Sequence, residues 1–221
     1  MCIVQKMPIV RSSVNDEMVK ARRLEEKKEE NKALQEKRKK EIEYLKSKAN
    51  IPSRYEHSKF TAIAPNQKDL ITVMKNNYAG KKLKDISDML INGEIGTGKT
   101  YLAIGLINSL LNLNIECKYI TEHALLELYF RKDYIKFDTF KKVKVLVIDE
   151  LAKRELIDWQ MIQIEELLSY RYNEQLPTIL ITNKNTKDFK SFLGSRLTDR
   201  LRGNNIIVHT LVGDSLRGKQ L

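Results

Sequence analysis

Apolar residues in this chain fall into short unbroken runs separated by stretches of helical periodicity. Met89-Leu90-Ile91 and residues 116–120, 143–148, 178–182 and 205–209 read as strands, being short and rich in Val, Ile and Leu. Between them, residues 101–111, 122–131, 158–174 and 187–201 place apolar side chains three and four apart. In the third of these stretches Met161, Ile164, Leu167 and Leu168 form an inward stripe, and Trp159 at its start is expected to pack rather than to recognise a ligand. Runs that stay apolar at every position are strands covered on both faces. The alternation therefore predicts an α/β fold, a parallel sheet with helices on both sides.

Ahead of the first strand the pattern changes twice. From about Asn15 to Ala49 the chain is dominated by Lys, Arg and Glu, lacks Gly and Pro, and sets Glu25/Lys28, Glu29/Lys32, Glu36/Lys40 and Glu43/Lys46 at helical spacing. This predicts a long solvated helix. Its apolar residues Met18, Ala21, Leu24, Leu34, Ile42 and Leu45 are too sparse for a coiled-coil seam, leaving a polar spacer or a partner-docking arm as its role. Ile51-Pro52 ends the run and sets a boundary there, dividing an arm of residues 1–50 from a core of residues 51–221. Pro65 then precedes a helix over residues 67–78, in which Leu70, Ile71 and Met74 share a face and after which Gly80 is a stop.

The 221 residues suffice for one domain and an appendage. The formal charge of +11 favours a polyanionic partner, nucleic acid ahead of others. Cys2 and Cys117 are too few and too far apart for a disulfide framework or a zinc site. No apolar stretch approaches the ~20 residues of a membrane span, and the first residues do not form a signal peptide. The expectation is a soluble, cytoplasmic protein with no membrane contact.

Two short segments carry chemistry. Gly93-Glu94-Ile95-Gly96-Thr97-Gly98-Lys99-Thr100 matches G-x-x-x-x-G-K-[ST], between a strand and a helix. Glycines there let successive N–H groups curl around phosphate oxygens at the positive end of a helix. Lys99 is expected to reach the β- and γ-phosphates, and the Thr100 hydroxyl suits a Mg2+ ligand. The apolar run Val145-Leu146-Val147-Ile148 ends in Asp149-Glu150, giving one carboxylate to hold the metal and one to activate water. A nucleoside triphosphatase follows, with ATP and Mg2+ as its cofactors.

The signatures of a GTPase fail, because Asp149 is followed by Glu-Leu-Ala and Asn183-Lys184-Asn185 by Thr186. Water is favoured over a small molecule as the phosphoryl acceptor. Asn183, at the end of a strand expected beside the phosphate-loop strand, either orients the attacking water or caps the next turn. Arg196 and Arg200 share a helical face. They either reach a neighbouring subunit's γ-phosphate or pair with surface acids or a nucleic-acid backbone.

Gly-Thr-Gly-Lys-Thr-Tyr-Leu-Ala at 96–103, Ile-Asp-Glu at 148–150, Arg-Tyr-Asn-Glu-Gln-Leu-Pro-Thr-Ile at 171–179 with Thr182-Asn183, and Gly-Ser-Arg-Leu-Thr-Asp-Arg-Leu-Arg at 194–202 resemble the DnaC/DnaI-type bacterial helicase loaders and the related IstB transposition ATPases, both of the AAA+ class. The resemblance covers about residues 51–217. It implies Lys99 and Thr100 at phosphate and metal, Asp149 and Glu150 as metal and catalytic carboxylates, and Asn183 as a first sensor. It further implies Arg200, with Arg196 close behind, as a finger acting between subunits, and Arg217 as a second sensor. A core without a C-terminal lid domain is also implied. The chain departs from the pattern at Leu151-Ala152, where the family often carries a glycine, and in lacking a Cys-rich zinc module, which makes it more similar to DnaC than to DnaI.

Residues 129–142 interleave Tyr129, Phe130, Tyr134, Phe137 and Phe140 with Arg131, Lys132, Lys136, Lys141 and Lys142. Either this is a single-stranded DNA surface near residues 129–144, with rings stacking on bases and cations following phosphates, or an amphipathic helix with its aromatics buried. The resulting expectation is an ATP-dependent loader whose arm grips a DnaB-type replicative helicase and which self-associates through Arg196 and Arg200. The alternatives are an IstB-like stimulator of a transposase and a nucleotide-binding adaptor.

Overall fold

The computed structural model describes residues 11–62, 64–78, 80–203 and 205–216, with side chains from Met18 onward except Ala21. The chain separates into two units, one ending at Glu43 and the other running from Tyr44. Helix α1 spans Arg11–Lys48. In the first unit Met18, Leu24 and Leu34 are exposed, and among the described residues its ion pair joins Arg22 to Glu26 at 3.1 Å rather than any of the Glu–Lys pairs read from spacing. An exposed i,i+4 pair of this kind contributes only about 0.3–0.5 kcal/mol.

Among the described residues the second unit is built on five parallel strands, β1 (Met89–Gly93), β2 (Cys117–Thr121), β3 (Val145–Asp149), β4 (Thr178–Thr182) and β5 (Ile207–Leu211), in the order β2-β3-β4-β1-β5. Among the described residues six α-helices accompany them: α2 (Lys68–Tyr78), α3 (Lys99–Asn112), α4 (Glu122–Phe130), α5 (Tyr134–Lys142), α6 (Asp158–Asn173) and α7 (Thr186–Gly203). Successive strand residues point to opposite faces, which divides the interior in two. Met89, Ile91, Val145, Val147, Ile179 and Ile181 pack with α2 and α3, as in Leu70, Met74 and Leu102. Leu90, Leu146, Ile148 and Leu180 pack with α4 to α7 on the other face. Both faces being covered is why these strands read as unbroken apolar runs.

The core begins ahead of the Ile51-Pro52 break. Ala49 is fully buried, its carbonyl accepts from the Tyr119 N–H at 2.9 Å, and Asn50 donates to the Tyr119 carbonyl at 2.8 Å. These two bonds cover the open edge of β2, whose backbone groups would otherwise be available to another strand.

Strands β3 and β5 and helix α7 depart from the sequence pattern for physical reasons. Strand β3 starts at Val145 rather than Val143, because the Val143 carbonyl is taken by the Arg171 guanidinium at 2.7 Å. Strand β5 is displaced to Ile207–Leu211, since Asn205 turns with φ 52° before the sheet is entered. Helix α7 is broken at Gly194, with φ 73° and ψ 172°, so Arg196 and Arg200 ride on its second segment.

Arg171 explains part of the 171–179 motif. Its side chain is fully buried; Nε donates to Thr178 Oγ1 at 2.9 Å, Nη2 to the Pro177 carbonyl at 2.8 Å, and Nη1 to the carbonyls of Lys141 at 3.1 Å and Val143 at 2.7 Å. One guanidinium thus joins the end of α5 and the starts of β3 and β4. Burial pulls its pKa down to about 10, with Asp88 opposing the shift.

Candidate nucleotide site

The carboxyl ends of β1, β3 and β4 lie side by side at the centre of the sheet, and the residues after them line one cleft of about 420 Å3. Open parallel sheets bind ligands at this end. The loop from Gly93 to Gly98 connects β1 to α3. Gly93 passes so close to β5 that a Cβ would lie 2.0 Å from the Leu211 carbonyl oxygen, and Gly98 takes φ 91° with its Cβ position 2.3 Å from Gln67 Nε2. Neither place accepts a side chain.

The loop's carbonyls are tied from outside and from within. Gln67 Nε2 donates to the Thr97 carbonyl at 3.0 Å, the Leu216 N–H to that of Gly96 at 2.9 Å, and Thr97 Oγ1 to that of Glu94 at 3.0 Å. Lys99 is buried, and its ammonium donates to the carbonyls of Gly93 at 2.8 Å and Glu94 at 2.6 Å, so the cation lies over the curl of the loop. The start of α3 points its N–H groups the same way. Ammonium, backbone amides and helix end together make a surround chemically suited to a polyphosphate.

Across the cleft, Asp149 Oδ2 accepts from Thr100 Oγ1 at 2.7 Å and from the Tyr119 hydroxyl at 2.9 Å, while Oδ1 accepts from the Glu150 N–H at 2.7 Å. The hydroxyl of Thr100 and the carboxylate of Asp149 are hard oxygen donors close enough to serve one ion, a set that fits Mg2+. No cluster of three or more His, Cys, Asp and Glu able to hold a metal occurs among the described residues, so an ion here would draw its other ligands from phosphate and water. Burial and the Asp149 carboxylate push the Tyr119 phenol up, keeping it a donor.

Glu150 is exposed at the cleft wall with φ 56°, its Oε1 accepting from Lys153 Nζ at 3.1 Å. Asn183, just past β4, lines the same cleft. Gly96, Gly98, Lys99, Thr100, Asp149, Glu150 and Asn183 are therefore brought together, with Ile95 also on the wall. Arg196 and Arg200 do not line the cleft. They face α6 of their own chain, where Arg196 pairs with Glu165 at 3.3 Å and Arg200 donates to Ser169 Oγ. Arg217 lies outside the described residues.

Tyr119, Arg54, Tyr55 and Tyr101 also line the cleft, and none is evident from sequence. Tyr119 reaches Asp149 only because β2 pairs with β3 in the register Tyr119↔Val147 and Thr121↔Asp149. Arg54 and Tyr55 stand in a short 3-10 turn after the charged helix, the guanidinium 5.7 Å from the ring.

Residues 129–142 divide between burial and exposure. Phe137 and Phe140 are buried, and Tyr129 stacks on Trp159 with ring centroids 6.1 Å apart. Lys141 pairs with Glu166 at 3.1 Å over the Tyr170 ring, and Lys142 with Asp138 at 2.7 Å. Phe130, Tyr134 and Ile135 are exposed, beside the exposed Arg131, Lys132 and Lys136. No helix among the described residues is long and apolar enough to cross a membrane.

A family model described as IstB-like ATP binding protein matches residues 7–221. The chain belongs to this family. Among curated members and relatives, the replicative helicase loader DnaC of Escherichia coli (strain K12) is 27% identical over 142 residues, covering 61% of this chain and 58% of that protein. The insertion sequence IS5376 putative ATP-binding protein of Geobacillus stearothermophilus is 31% identical over 140 residues, covering 59% and 55%. The chain thus matches little more than half the length of either relative. The crystal structure of the DnaC helicase loader superimposes with a TM-score of 0.63 at 23% identity, covering 71% of this chain and 99% of that one, which shows a shared fold. In this IstB-like chain the glycine loop, Asp149 and Asn183 occupy the strand ends of that fold.

Proposed function

We propose that this IstB-like chain hydrolyses ATP and uses the cycle to load a hexameric replicative helicase onto single-stranded DNA. The observation that carries the enzymatic part is the 2.7 Å bond from Thr100 to Asp149 beside Lys99 and Glu150. In this reading the loop amides and Lys99 hold the β- and γ-phosphates. Thr100 and Asp149 would hold a magnesium ion, which would neutralise phosphate charge. Glu150 accepts a proton from water as the water oxygen attacks the γ-phosphorus; the bond to the β-phosphate oxygen breaks, giving ADP and phosphate. Asn183 orients that water, Arg196 and Arg200 act on a neighbouring subunit's nucleotide, and Arg217 is the second sensor.

Residues 1–50 are the docking arm in this proposal, and the exposed ring-and-cation surface around Phe130, Tyr134 and Lys136 is where single-stranded DNA lies. The protein works in the cytoplasm. Similarity to an insertion-sequence ATP-binding protein favours one alternative, in which the same motor stimulates a transposase on duplex DNA.

Two measurements test this. Glu150→Gln should keep ATP binding and abolish turnover, whereas Lys99→Ala should lose binding; turnover that survives Glu150→Gln removes the catalytic assignment. Capture with the tagged full chain and ATP should recover a replicative helicase. Recovery of a transposase instead would shift the function to the alternative.

A further inference from the structure

Glu122, the first residue of α4, is 2% exposed, and its carboxylate is not part of the cleft. Its Oε2 accepts from the Ala152 N–H at 2.6 Å. Ala152 is two residues past Glu150, and both adopt left-handed backbone, with φ 62° and 56°. In that region Cβ crowds the following carbonyl, so a residue other than glycine stays there only when its surroundings hold it.

The surroundings hold this turn from two sides. From β4, the Ile181 carbonyl accepts from the Leu151 N–H at 2.9 Å and Thr182 Oγ1 donates to the Leu151 carbonyl at 2.6 Å. From the β2–α4 corner comes Glu122, and next to it His123 Nδ1 lies 3.2 Å from an Arg154 guanidinium nitrogen. A carboxylate is a strong acceptor for a backbone N–H, and a buried one without such a donor is costly. Carboxylate and strained amide therefore need each other.

We infer that Glu122 is a positioning residue for Glu150: by accepting the Ala152 N–H it fixes the left-handed turn that sets the Glu150 carboxylate on the cleft wall. The role rests on the hydrolytic reading above. Glu122 touches no reacting atom and acts on geometry alone. An alanine at a position that suits glycine is then tolerated because a buried carboxylate clamps it.

The test uses the full chain and four variants. Glu122→Leu removes the acceptor, Glu122→Asp shortens it, Glu122→Gln keeps an acceptor oxygen, and Glu122→Leu with Ala152→Gly removes clamp and strain together. Glu122→Leu and Glu122→Asp should lower kcat about ten- to a hundredfold with ATP affinity unchanged, the loss expected of a displaced catalytic group. Glu122→Gln and the double variant should recover most of it. Turnover within twofold of the wild type in both Glu122→Leu and Glu122→Asp would overturn the role, as would a double variant no faster than Glu122→Leu.

Amide hydrogen exchange at residues 151–153 without nucleotide separates this inference from the hydrolytic reading. If the wild type turns over no ATP, that reading fails. Faster exchange in Glu122→Asp, restored in Glu122→Gln, still upholds the clamp, and unchanged exchange overturns it.

Discussion

Tyr119 and Asp149 are joined by a 2.9 Å hydrogen bond in which the phenol donates to Oδ2, the same oxygen that accepts from Thr100. The aspartate is thus steered from β2 and from α3 at once, and its orientation depends on the pairing of β2 with β3. Two donors on one oxygen hold a carboxylate more firmly than either alone, and the bond from Glu150 N–H fixes the other oxygen.

Replacing Tyr119 with Phe keeps the buried ring and deletes one donor. Stability should fall by about 1.5–3 kcal/mol, the usual value of a hydrogen bond to a charged partner, read from urea unfolding. ATP turnover should drop several-fold in the same variant, and an unchanged rate would mean that the bonds from Thr100 and the Glu150 N–H suffice to orient Asp149.

Gly98→Ala should weaken nucleotide binding by tenfold or more, since φ 91° is strained for alanine and the added carbon would meet Gln67 Nε2. Adding Gln67→Ala relieves the clash but leaves the backbone strain, so titration of a fluorescent ATP analogue should show at most partial recovery. Full recovery would assign the defect to the clash alone.

Arg171→Met should destabilise the core by about 3–5 kcal/mol, because several buried carbonyls would lose their donor together. Arg171→Lys should recover little, an ammonium being unable to reproduce the fork that spans Thr178, Pro177 and Val143. Chemical unfolding of both variants checks this; a near-wild-type lysine variant would argue that charge rather than geometry is what the site needs.

Single-stranded DNA affinity should respond more to Lys132→Glu and Lys136→Glu than to Lys141→Glu and Lys142→Glu, the latter pair being engaged with Glu166 and Asp138. The log–log slope of affinity against salt should shrink by about 0.7 for each phosphate that the protein no longer neutralises. The reverse ranking would move the DNA surface toward the end of α5.

Alkaline stability follows from three buried acids. Burial pushes Cys117 above its ordinary 9.0 and Tyr78 and Tyr119 above 10.0, so the unfolded chain releases these protons first. Stability is complete below those ordinary values and falls as pH rises through pH 9–10. Arg171, lowered to about 10, works in the opposite direction and only from there upward. Thermal melts at pH 8 and pH 10 should differ accordingly, with the pH 10 midpoint lower.

What the amino-acid order determined alone is local. The phosphate loop, the carboxylates ending β3 and the unbroken apolar strands are written in contiguous residues, because a helix end, a curled backbone and a doubly covered strand each impose a pattern within a few positions. Arg196 and Arg200 share a face despite the break at Gly194, since both follow it. Tertiary structure decided what lies between distant segments: Tyr119 on Asp149, Glu122 under Ala152, Arg171 bridging β3 and β4, and Ala49 closing the edge of β2. It also divided the aromatics of residues 129–142 between core and surface. Apart from the bonds of Arg171 to Pro177 and Thr178, which fall within one short motif, each of these pairings spans about thirty residues or more, and its partners are set by strand order, register and packing, which no short window of sequence encodes.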